Sequence, residues 1–190
     1  KLTISTPASP LGNSGSVEIA SGTTSAESTN TGTITLVTSA SAKGEGGSIV
    51  LETKDSSTGG VIELKVGEST GTSKIGGKIS LSAGASTEET GGGIDIVGGV
   101  SKASSKVGGN IKINGGESEQ DVGGKIEIVT GMGKTKSGEL TIGSSIHHED
   151  HDSGASGAVS LTSGGTKTAP SGTITISTGT SAGNSAGKVT

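Results

Sequence analysis

The sequence predicts an all-β chain: a parallel β-solenoid of roughly 12 coils, each of about 15 residues. Three observations lead there. A short phrase (an aliphatic residue, one variable residue, a second aliphatic) recurs from one end of the chain to the other. Glycine recurs at set places on either side of that phrase. The remainder is small and polar, with 37 Gly among 190 residues and no Phe, Trp, Tyr or Cys.

The strands come first. Taking the first aliphatic of each phrase as a marker, phrases begin at Leu2, Val17, Ile34, Ile49, Ile62, Ile79, Ile94, Ile111, Ile126, Leu140, Val159, Ile174 and Val189. Successive markers stand 13 to 19 residues apart, averaging about 15.6, so one repeat array spans 1–190 with no linker. The second aliphatic follows two positions later, as Ile19, Leu51, Ile96 and Ile128 do, which puts both on one face of a strand. Their β-branching favours strand. Helix is excluded, because interior glycine costs about 1 kcal/mol each time it occurs.

The corners come next. Gly-Gly or Ser-Gly precedes the phrase at Gly46-Gly47, Gly76-Gly77, Gly108-Gly109, Gly123-Gly124 and Ser171-Gly172. A Gly commonly stands three residues beyond it, as Gly22, Gly84, Gly99, Gly116, Gly131 and Gly179. An antiparallel meander would favour two alternating turn types, whereas one recurring type favours uniform coils. Coils stacked about 4.8 Å apart need corner residues that accept close approach and φ > 0. The outward residue inside the phrase would then form a ladder in which Asp95, Lys112 and Glu127 alternate in sign.

Composition bounds the rest. Only 27% of residues are hydrophobic, the net charge is −4, and the longest apolar runs, such as Ile49-Val50-Leu51, are far too short to span a bilayer. An acidic chain without basic stripes or aromatic platforms is not expected to bind nucleic acid. Lys1-Leu2-Thr3-Ile4 already lies in the repeat and Lys188-Val189-Thr190 is still in phase, so the chain reads as an excerpt of a longer repetitive protein.

One stretch departs from the pattern. "IHHEDHD", residues 146–152, holds all three histidines in the longest interval, from Leu140 to Val159. His147, His148, His151 and Asp150 are donors suited to Zn²⁺, Cu²⁺ or Ni²⁺. The same residues also read as a solvated acidic insertion, since no second element supplies a ligand. Asp55 and "ESEQDVGG" (117–124) lack the spaced carboxylates of calcium loops. Gly131-Met132-Gly133-Lys134 lacks the spacing of a phosphate loop and reads as a turn. No cofactor is expected.

The pattern G-G-x-I-x-I-x-x-G-x-S, clearest in "GGKISLSAGAS" and "SGTITISTGTS", resembles Gly/Ser/Thr-rich repeat proteins of diatoms and related algae. The resemblance covers the whole chain and implies an extracellular or cell-surface, repetitive, fibrous protein with no catalytic residues to carry over.

The function expected is therefore structural: a fibre, sheath or adhesive component that self-associates into filaments or multi-chain assemblies, with extracellular polysaccharide as a further partner. The alternative is a surface-binding module for ice or glycans. Against it, the outward row mixes Glu18, Glu63, Asp95, Lys112 and Glu127 with Thr, and glycan-stacking aromatics are missing. An enzyme is not expected, because the charges are scattered singly and acid–base chemistry needs groups that converge. For the histidine stretch, a true site predicts saturable Zn²⁺ uptake in calorimetry, weakening as pH falls through the ordinary imidazole range and lost in His147→Ala/His151→Ala. A solvated insertion predicts no saturable uptake.

Overall fold

A computed structural model describes residues 1–25, 30–70, 75–145 and 155–190. The chain divides into two units, Lys1–Ile94 and Asp95–Thr190. Both are built the same way. Short phrases around the marker aliphatics alternate with loops that bend once, at residues 10–12, 42–44, 57–58 and 87–89 in the first unit and 103–105, 119–121, 134–135, 167–169 and 182–184 in the second. Each bend falls in the polar stretch between two phrases.

The expected all-β solenoid is not what forms. Among the described residues there is neither strand nor helix. The backbone hydrogen bonds explain why. They join Gly92 N–H to Gly84 O (2.9 Å), Gly109 to Gly99 (2.8 Å), Gly124 to Gly116 (2.8 Å) and Gly138 to Gly131 (2.9 Å). All four close a loop onto its own base, and none joins one phrase to another, so no β-ladder exists. Nor does the charge ladder. The ion pairs among the described residues, Lys54–Glu52 (2.5 Å), Lys65–Glu63 (2.9 Å) and Lys125–Glu127 (2.8 Å), connect residues two apart along one segment.

The physical reason is a shortage of apolar mass. Ordering one residue costs roughly 1–2 kcal/mol of backbone entropy, and each repeat offers two phrase aliphatics to set against about fifteen residues. Laying strands side by side would order the loops for little burial. No described side chain is buried, and the chain exposes 19320 Å², against about 8,000 Å² for a compact folded chain of this size.

The phrases keep an alternation of exposure, but the pair expected to face inward is not buried: both of its members stay exposed. Ile49 is 51% exposed, Val50 77% and Leu51 69%. The same order recurs where Ile34, Ile62, Ile94 and Ile126 are about half covered while the outward Val37, Val61, Val97 and Val129 are much more open. Alternation of this kind, together with ion pairs between positions i and i+2, is what an extended segment produces. The two aliphatics of a phrase are not equivalent, however: from Val17 onward the first is the better covered, while in the first phrase Leu2 is more exposed than Ile4.

The glycines have a different role from the one expected. No described glycine adopts positive φ, and the one left-handed residue is Ser105, at φ 58° in the turn of its loop. What glycine supplies is space. It occupies the position two before the marker in all twelve repeats that follow the first, from Gly15 to Gly187. There it commonly lies against the residue two or three beyond the preceding phrase. A Cβ on Gly60 would come within 2.9 Å of Thr53 Cβ, one on Gly109 within 2.8 Å of Gly99 N, and one on Gly124 within 3.0 Å of Gly116 N. By contrast, a Cβ on Gly116 would meet nothing within 4 Å.

This contrast gives a local test. Gly124→Ala should break the Gly124–Gly116 bond and lower protection of that amide about fivefold, the worth of one net hydrogen bond. The Gly109–Gly99 bond should be untouched. Gly116→Ala should change neither. Amide exchange followed by NMR on the three proteins reads all of this directly.

Candidate functional site

The feature that repeats, and therefore the candidate site, is the loop. Its base is set by the glycine pair described above, and its bend is set by a hydroxyl. Five residues beyond the second aliphatic stands Ser or Thr in ten of twelve repeats. In four of these the serine oxygen accepts the backbone N–H three residues on: Ser41 from Gly44 (3.0 Å), Ser86 from Glu89 (2.9 Å), Ser118 from Asp121 (3.0 Å) and Ser181 from Asn184 (3.0 Å). Ser and Thr compete with the backbone in this way at turns, mimicking a backbone acceptor.

The remaining hydroxyls vary the theme. Ser56 Oγ donates to Thr58 O, and Thr166 Oγ1 donates to Ala169 O, each across its own bend. Ser86 also accepts from Glu88 N–H at 3.4 Å, a weaker second contact. At the loop base Thr6 Oγ1 donates to Gly15 O (3.0 Å), tying the first loop shut by a side chain where others use backbone. All of these residues are exposed except Thr6, which is partly covered.

Charge in the loops follows no converging plan. Glu88 and Glu89 sit on the bend of one loop. In another, Asp121 Oδ1 accepts from Val122 N–H (2.8 Å), so that carboxylate is engaged with its own turn. Among the described residues no group of three or more His, Asp or Glu side chains is placed to hold a metal ion. Neither Asp55 nor the 117–124 segment is part of such a group. Gly131-Met132-Gly133-Lys134 leads into a bend at Lys134–Thr135, inside a loop closed by Gly138 N–H on Gly131 O, with no helix following.

No family model, curated protein or solved structure matches this chain. The proposed metal ligands His147, His148, Asp150 and His151 lie outside the described residues. What the structure does bring together, among the described residues, is the base and bend of individual loops, in a form reused along both units. Among the described residues, no helix is long and apolar enough to cross a membrane.

Two elements carry more of the local structure than sequence reasoning assigned to them. The pre-marker glycine and the hydroxyl at the fifth position are both visible once repeats are aligned on the marker aliphatic. Their spacing from the phrase is constant, while the residues around them are not. The roles, spacer and turn acceptor, need the folded geometry.

Removing one such acceptor should be felt only nearby. Ser86→Ala leaves Glu89 N–H without its 2.9 Å partner, a loss of about 0.5–1.5 kcal/mol for the bend. The expected result is faster exchange at the Glu89 amide, with Asp121 and Asn184, held by their own serines, unchanged. Thr87→Ala, on the same bend, should leave all three amides as they are.

Proposed function

We propose that the chain is a structural repeat of an extracellular fibre, sheath or adhesive, working by association with further copies of itself and requiring no cofactor. One observation carries this reading. In ten phrases, from Val17 to Leu140 and again at Ile174, the first aliphatic is left about half exposed, and no described side chain is buried. An isolated chain therefore presents a regular series of partly sheltered apolar groups. Burying them is favourable by about 25 cal/mol per Å² of apolar surface, and association is what would do it.

Other features agree. Chemistry is distributed over the repeats rather than concentrated, as a material needs and an enzyme does not. The loops display hydroxyls capable of hydrogen bonding to polysaccharide, which fits a partner in an extracellular matrix. The resemblance to algal Gly/Ser/Thr-rich repeats points the same way. Low net charge, −4 over 190 residues, leaves little repulsion to oppose close packing of copies.

Sedimentation velocity over a concentration series tests the reading. The expected outcome is growth into large, polydisperse species, and a monodisperse monomer at every concentration would refute it. Exchanging the half-covered aliphatics (Ile94→Ser, Ile111→Ser, Ile126→Ser) should raise the concentration at which assembly begins by about tenfold or more. The matching exchange on the outward face (Val50→Ser, Val97→Ser, Val129→Ser) should shift it by no more than about twofold.

A further inference from the structure

The aliphatics are only half of what the phrases leave unused. Backbone hydrogen bonds among the described residues lie at loop bases, and the phrases, from marker to second aliphatic, make none. Their side chains alternate in exposure as those of an extended segment do. Each phrase is thus a short, β-branched, extended stretch with its N–H and C=O groups unpaired by the chain that carries it. Exposed rows of this kind are templates for pairing with another chain.

We infer that a second copy of this chain supplies the pairing, phrase backbone against phrase backbone. The inference rests on the self-association proposed above and specifies its contact. It differs from a coil stacking on the next coil of one chain, which the structure does not form. Two features bear on the occupant: spacing selects a second copy, and charge has to be compatible with it.

The first is spacing. A single phrase is too short to hold a partner, because a few ladder bonds do not offset the cost of association. Many phrases engaged at once would hold it, since each pairing after the first is intramolecular. A partner must then present matching phrases at the same irregular intervals of 13 to 19 residues. Another copy does so by identity.

The second is charge. Glu63 and Lys65 flank Leu64 with an ion pair of 2.9 Å, and Lys125 and Glu127 flank Ile126 with one of 2.8 Å. Each of these phrases thus carries its compensating charge on its own segment. In the same-direction register that the shared intervals require, Glu63 faces Glu63 and Lys65 faces Lys65, and the ion pair within each copy leaves the contact without net charge. Charge is compatible with this register and does not select it.

The test separates this contact from association in general. Copies carrying ¹³C-labelled carbonyls are mixed with unlabelled copies, and the amide I infrared band is followed through assembly. Pairing between copies is expected to produce a cross-strand band whose labelled component weakens as labelled copies are diluted. In parallel, Ser80→Pro/Thr141→Pro/Thr175→Pro removes one N–H from each of three phrases without touching an aliphatic, and the alanine triple at the same positions keeps it. The proline triple is expected to raise the onset concentration by about tenfold or more, and the alanine triple to stay within about twofold of the parent. Unchanged protection of the Gly92 and Gly109 amides confirms that the loops of the proline triple remain closed. Assembly with no label-dependent band, or proline and alanine triples that assemble alike, overturns the pairing while leaving self-association standing. A parent chain that stays monomeric overturns both.

Discussion

The close approach of one glycine to the backbone it left several residues earlier is the contact on which this architecture depends. At Gly109 and Gly124 the hydrogen-bonded partner is so near that a Cβ would lie 2.8 and 3.0 Å from a backbone nitrogen. Only a residue without one can donate from that position. Because closure is set by this pair, the residues between are free to change in number as well as kind, and phrase spacings of 13 to 19 are tolerated without loss of the repeating form. The hydroxyl at the fifth position then supplies a bend inside the closed loop. Length variation is absorbed where it costs least.

A second constraint acts against the first. Residues spent on loops are not available for a core, and a chain with 27% hydrophobic residues and no aromatic side chain has little to bury. The consequence is visible along both units: loops with fixed bases separated by phrases that are extended but unpaired. Order in such a chain is local. Each closing bond spans seven to ten residues, so loop-closure entropy is small. It gains nothing from neighbouring repeats, and cooperativity along the array is weak within one chain.

How much of this was legible beforehand follows from the same separation of local from lateral. The period, the marker aliphatics and the faces they occupy were readable, because alternation of Ile49, Val50 and Leu51 depends only on the extended geometry of three residues. The loops were readable too, since glycine and serine punctuate them. Strand pairing was not. Whether one phrase binds the next depends on burial summed over many repeats, and the marker pattern is the same in a stacked coil and an unpaired array. The glycines were found for a partly mistaken reason: left-handed φ was expected, and close approach alone is what they provide. Ser86, Ser118 and Ser181 were noted in the pattern without a role, because a side-chain acceptor looks like any other serine until the N–H it receives is located. The histidine stretch, lying outside the described residues, adds nothing in either direction.

What remains is the question of where such a chain finds the stability its own repeats withhold. The four loops closed by backbone bonds bring the ends of their flanking phrases together, so part of the entropy of presenting those phrases is already spent before a partner arrives. That is preorganisation in the sense that lowers the cost of binding. It is distributed over several loops rather than gathered in one. A chain built this way is a poor globule, since nothing inside it rewards folding tightly, yet the same features suit it to company. On the proposed reading, every added copy would cover the half-exposed aliphatics of the last and present an equivalent series in turn, so the apolar burial missing from one chain would accumulate with the number of chains. In that light the low apolar content reads as a limit on collapse: enough to make association favourable across many phrases, too little to let any single chain satisfy itself.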